Sequence, residues 1–238
     1  MNAITLLDRN LARYANQLAG HSIAFDKFVF DIVDLRLLNG GAFLAVFWWL
    51  WFEADKSGGF TQRRNVVVAL LAAPVVGGVS RLLQVLLPFH HFPLQDLDLG
   101  LRMPFGVDPT SINAFSSFPS NHAALFFSLN VPLWIRSRWL GATATVWTLL
   151  VICLPLLFLG YHWPSDIIGG AAVGVTLMLL LRRLIGATRL PDRIVGLSAA
   201  HPSAFYALAW LFAFEIALLF ADQILLLDTA NLARAVLR

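Results

Sequence analysis

FPSNHAALFF, residues 118–127, places a proline, a serine, an asparagine and a histidine directly in front of an apolar run. GYHWPSDIIGG, residues 160–170, repeats the arrangement with a histidine, a Pro-Ser pair and an aspartate ahead of a second apolar run. Proline suits the first turn of a helix, and serine is a favoured cap. Both stretches therefore read as helix starts at a membrane edge, each carrying a histidine. His162 and Asp166 are four residues apart, close to one helical turn. If the two edges meet in space, two histidines and a carboxylate share one site.

Composition sets the class. Apolar residues make up 58% of the chain and charged residues only 13%, and the mean hydropathy is +0.72, far outside the soluble globular range. The chain reads as an integral membrane protein with the lipid bilayer as its surroundings. A net charge of +3 is too small and too scattered to imply nucleic acid. One cysteine, Cys153, excludes an intrachain disulfide. Residues 1–38 mix Asp8, Arg9, Arg13, Asp26, Lys27, Asp31, Asp34 and Arg36 among apolar positions. That pattern suits helices lying along the interface rather than a signal peptide.

A spanning helix needs about 20 mostly apolar residues, and six candidate runs follow: 39–53, 65–89, 119–135, 139–160, 164–181 and 203–227. The expected fold is all-α, a polytopic bundle of about six transmembrane helices behind N-terminal interfacial amphipathic helices. The six spans form one domain, residues 39–227, with an active-site loop at 90–118 and a tail at 228–238. Trp48, Trp49 and Trp51 close the first run as an interfacial aromatic belt would.

Six spans force an alternation of sides. The side opposite the N-terminus receives Lys56, Arg63, Arg64, Arg136, Arg138, Arg182, Arg183, Arg189 and Arg193, against the ends of the spans. Positive charge marks the cytoplasmic side. FPSNH, GYHWPSD and the end of SRLLQVLLPFHHFP, residues 80–93, then all fall on the extracytoplasmic face, which in a bacterial inner (plasma) membrane is the periplasm or exterior.

FPSNHAA resembles the second signature, P-S-G-H, of the type 2 phosphatidic acid phosphatase superfamily, and LGYHWPSDIIGG resembles the second half of its third, S-R-x5-H-x3-D. The resemblance covers roughly residues 65–186. It implies an enzyme that removes or transfers phosphate from membrane lipid phosphates and diphosphates, without a metal or other cofactor. A neutral imidazole attacks an anionic phosphoester more readily than hydroxide does, and passes the reaction through a phosphohistidine. On this reading His162 is the nucleophile and Asp166 fixes its tautomer. His122 is the acid and base for the leaving and entering oxygens. Ser120 and Asn121, with the helix N-terminus, hold phosphate oxygens.

The first signature, K-x6-R-P, is not met. Counting back from Pro88 gives Leu87 and Ser80, and from Pro93 gives Phe92 and Val85. Pro155 and Leu156 stand where the third signature has Ser-Arg. Arg81, His90, His91 and Arg102 are the candidate replacements for binding phosphate. The histidines show no short zinc-type spacing, so no metal site is expected. Glu215 and Asp222, seven apart in the last run, share nearly one helical face. The expected function is a lipid phosphate or diphosphate phosphatase for a polyprenyl or glycerolipid. The alternatives are a lipid-linked phosphotransferase, a glycan-lipid processing enzyme, or a non-catalytic lipid-binding protein on the same scaffold. Oligomeric state is not legible.

Overall fold

The structure, a computed structural model, describes residues 3–53, 59–107 and 116–217. Lys56, the 108–115 part of the 90–118 loop, Asp222, the end of the sixth run and the tail 228–238 lie outside the described residues.

The described chain is helical: α1 (Ala3–Asn16), α2 (Ile23–Asp34), α3 (Leu37–Glu53), α4 (Gly59–Leu86), α5 (Asn121–Arg136), α6 (Arg138–Phe158), α7 (Pro164–Gly186), α8 (Leu190–Ala200) and α9 (Pro202–Ala217). α4, α6 and α7 are long and apolar enough to cross a membrane, while α3 and Pro202–Ile216 are shorter apolar helices. The run expected at 119–135 is a helix of 16 residues, about 24 Å at 1.5 Å per residue. It falls short of a 20-residue span because Ser120 caps its start and Ser137 its end.

The chain divides into two compact units. One holds the residues up to Leu35 together with Val68–Thr188, and the other holds Arg36–Val67 with the residues from Arg189 onward. Sequence alone sets residues 1–38 apart as an interfacial segment, yet α1 and α2 belong to the first unit. The reason is polar. Asn16, almost fully buried, donates from Nδ2 to the Arg102 and Phe158 carbonyls at 3.0 and 3.1 Å. Asp26 accepts from the Gly20 and Phe105 N–H groups at 2.9 Å each. The opposite face of α1, with Ile4, Leu7, Leu11 and Tyr14, is exposed and keeps the amphipathic stripe expected of an interfacial helix.

The centre of the first unit is the contact of α5 with α7. A Cβ at Gly170 would strike the Ser120 carbonyl, one at Gly174 the Ala124 carbonyl, and one at Gly169 the Phe118 ring. Small residues spaced four apart let two helices approach backbone to backbone. Here they bring the start of α5 beside the start of α7, where Ser120 N–H donates to the Asp166 carbonyl at 3.0 Å.

In the second unit, Trp48, Trp51 and Phe52 of α3 pack on Phe205 and Tyr206 of α9, and the Trp51 indole donates to the Tyr206 hydroxyl at 3.1 Å. Arg64 pairs with Asp192 at 2.6 Å.

Candidate active site

Asp166 is fully buried in the first turn of α7, where Pro164 supplies the preset φ of position N1. Its Oδ2 reaches back to accept the Trp163 N–H at 2.8 Å. Its Oδ1 lies 3.1 Å from His90 Nδ1. His162 Nδ1 stands 3.5 Å from Oδ2, too far for a normal hydrogen bond. One carboxylate thus sits between two imidazoles, bonded to His90 and close to His162. His162 is delivered by the tight turn at Gly160, whose φ of +70° costs glycine little, and the Gly160 carbonyl accepts Leu94 N–H at 3.1 Å.

His90 comes from the non-helical segment after α4. Ser116 Oγ accepts its backbone N–H at 3.0 Å, and Ser117 Oγ lies 3.0 Å from its Nδ1. The side chain is about half exposed, 45%. The hydrogen bond to Asp166 raises its pKa above the ordinary 6.5. Partial burial opposes that shift, and the negative charges of Asp166 and Asp8 add to it.

The PSNH turn forms the neighbouring wall. Ser120 caps α5, its Oγ accepting Ala123 N–H at 3.4 Å. Asn121 is buried with no hydrogen-bond partner for its Oδ1 among the described residues. His122, half-buried, follows in the first turn. Arg81 Nη1 donates to Gln84 Oε1 at 2.8 Å, and Gln84 Nε2 donates to the Pro119 carbonyl at 2.8 Å, so a two-step relay ties Arg81 to this turn.

His91 and Arg102 take other positions. His91 offers its carbonyl to the Trp163 indole at 2.7 Å, while its ring packs edge-on against Phe89. Because the segment is not helical, its backbone serves one wall and its ring another. The Arg102 guanidinium meets the His21 ring and donates to the Gln17 carbonyl at 3.1 Å, an exposed tie to the N-terminal segment. Glu215 belongs to the second unit.

A cavity of about 430 Å³ opens beside His90, with Asp8, Arg9, His91, Asp96 and Trp163 also in its walls. Asp8 and Arg9 come from α1 and are absent from the candidates read from sequence. Asp8 Oδ1 accepts Ser165 N–H at 2.9 Å, and Arg9 Nη1 bonds Asp96 Oδ2 at 2.6 Å. Their signal was the polar stripe of α1, whose period places Asp8, Ala12 and Asn16 on one face. Among the described residues, no three His, Cys, Asp or Glu side chains are spaced to hold a metal ion.

The two signature stretches are therefore joined through Asp166, and the model of the PAP2 superfamily matches residues 99–190, which contain both. Over these residues the chain is similar to the PAP2 superfamily. Among curated relatives it is 31% identical over 134 residues to YbjG of Escherichia coli K12, a candidate undecaprenyl-diphosphatase, covering 56% of this chain and 60% of that protein. It is 24% identical over 197 residues to the lipid A 1-diphosphate synthase of Escherichia coli K12, covering 79% of each. Among solved structures it is similar to a transmembrane PAP2-type phosphatidylglycerolphosphate phosphatase from Bacillus subtilis, at 15% identity and a TM-score of 0.47, covering 80% of this chain and 90% of that one.

Proposed function

We propose that this protein is a membrane lipid phosphatase that hydrolyses a lipid phosphate or diphosphate through a phosphohistidine on His162. The observation that carries the proposal is Asp166, held between His90 and His162 and stitched by its carbonyl to the PSNH turn. In the reaction, Asp166 accepts the His162 Nδ1–H and so directs the Nε2 lone pair at phosphorus. The bond from phosphorus to the leaving oxygen breaks, and His122 protonates that oxygen. His122 then takes a proton from water, which attacks the phosphohistidine and releases inorganic phosphate and neutral His162. The 3.5 Å separation of His162 from Asp166 shortens as the imidazole gains positive charge. Arg81, through Gln84, and the α5 N-terminus with Asn121 support the phosphoryl oxygens.

The names of the relatives make a polyprenyl diphosphate the first substrate class to try. Similarity to a lipid A 1-diphosphate synthase favours, as a second reading, transfer of the phosphoryl group to a lipid phosphate acceptor. The charge distribution of the loops supports a site on the extracytoplasmic face. A cysteine placed at the exposed Leu97 should react with an impermeant thiol reagent in intact cells, and protection there would reverse the sidedness.

The deciding experiment is phosphate release from polyprenyl diphosphate, polyprenyl phosphate and glycerolipid phosphates by the purified full chain in detergent, with and without a chelator. Turnover that survives chelation and an acid-labile phosphoenzyme are expected. His162→Ala should abolish both, and residual turnover above about a tenth of the parent removes His162 as nucleophile. Phosphate appearing only when a lipid acceptor is supplied selects the transferase.

A further inference from the structure

A phosphoryl group entering the cavity beside His90 meets walls that already carry carboxylates. Asp8 and Asp96 stand there, and His90 in the same wall is bonded to the buried Asp166. An anion in such a place needs a cation that stays charged at every working pH. Each carboxylate is already matched. Asp166 lies between two histidines, Asp8 takes a backbone N–H at the start of α7, and Asp96 is bridged by Arg9. Arg102 is committed to Gln17 and His21 at the surface, and Arg13 Nε to the Leu99 carbonyl at 3.0 Å. The arginine in the cavity wall beside His90 is Arg9.

We propose that Arg9, presented by α1 and held on Asp96, binds a phosphate of the substrate in this cavity. The proposal rests on the phosphatase reading. A guanidinium has five N–H donors in a fixed fork. The bridge to Asp96 runs from Nη1 to a single carboxylate oxygen, so the fork can hold Asp96 on one edge and a phosphate on another. The register of α1 supports this placement, since Asp8 on Ser165, Arg13 on Leu99 and Asn16 on Phe158 fasten the helix on both sides of Arg9. The N-terminal helix is then part of the substrate site, with its apolar stripe turned outward.

The test separates a ligand from a strut, because a purely structural bridge loses the same contact whichever partner is removed. Arg9→Gln, Arg9→Lys and Asp96→Asn are compared in the purified full chain. Arg9→Gln should raise KM about 10- to 100-fold, the range of a hydrogen bond to a charged group. Arg9→Lys should recover part of that loss, and Asp96→Asn should lower KM by releasing the fork. Equal increases in KM for Arg9→Gln and Asp96→Asn, or none for Arg9→Gln, overturn the proposal. A second readout does not depend on turnover: inorganic pyrophosphate should raise the thermal midpoint of the parent chain and not that of Arg9→Gln. If no lipid is hydrolysed, the phosphatase reading fails by itself and this binding comparison still decides Arg9. Equal stabilisation of both proteins by pyrophosphate removes Arg9 as a ligand.

Discussion

A Pro-Ser pair stands at the start of two helices of the first unit, just before α5 and as the first residues of α7, and the first turns are completed in different ways. At α5, the cap is local: Ser120 Oγ turns back onto Ala123 N–H, three residues on. At α7, Ser165 is not the cap. Its N–H is taken by Asp8, 157 residues away, and Asp166 covers the Trp163 N–H from within the turn. A helix N-terminus attracts anions, and at α7 two of the protein's own carboxylates already fill that role. At α5 no acidic residue stands in the first turn. The same dipeptide thus makes a start closed by carboxylates in one place and, in the other, one suited to a phosphate.

The largest effect should come from separating these two starts. Gly174→Ala puts a methyl against the Ala124 carbonyl, and overpacking of this kind costs about 1–3 kcal/mol. Thermal or denaturant unfolding in detergent measures it, and turnover should fall as Ser120 moves off Asp166. A neutral result would mean that the crossing is looser than its geometry.

Next come the caps themselves. Ser120→Ala and Asp8→Ala should each cost about 1 kcal/mol, the usual value of a lost N-cap. They should differ in function. Ser120→Ala disturbs the turn that carries Asn121 and His122, whereas Asp8→Ala also loosens α1 and, with it, Arg9. Limited proteolysis near the N-terminus distinguishes them, since only Asp8→Ala should speed cleavage there. Equal cleavage in both variants would dissolve the contrast between the two starts.

The smallest effect is pH-dependent. His90 has its pKa raised by Asp166, so folding favours its protonated form. That stabilisation is complete below the unfolded value of about 6.5 and is lost as pH rises through the higher folded value. With the side chain half exposed, solvent screens much of the gain. The thermal midpoint should decline gently above pH 6.5 in the parent chain and flatten in His90→Asn. A midpoint that rises over the same range would show that His90 is not protonated on Asp166.

Sequence alone determined that this is a helical membrane protein, and it marked His122, His162 and Asp166. Those readings need only local rules: the length of an apolar run, the residues that start helices and the one-turn spacing from His162 to Asp166. The partners of Asp166 were beyond such rules. His90 lies 76 residues from it, and it enters the site because the segment after α4 leaves the helix. Arg81 was legible as a buried cation, but its link through Gln84 to Pro119 depends on two segments 35 residues apart in sequence. For Arg102, a loop arginine carries no sign of which surface it will meet, and the fold sets it against Gln17 and His21. α1 was legible as amphipathic, and its apolar stripe reads the same whether its polar face meets water or the protein. Tertiary structure decided between these, because the bond Asn16 donates to the Phe158 carbonyl and the one Asp8 accepts from Ser165 N–H form only once α6 and α7 are in place.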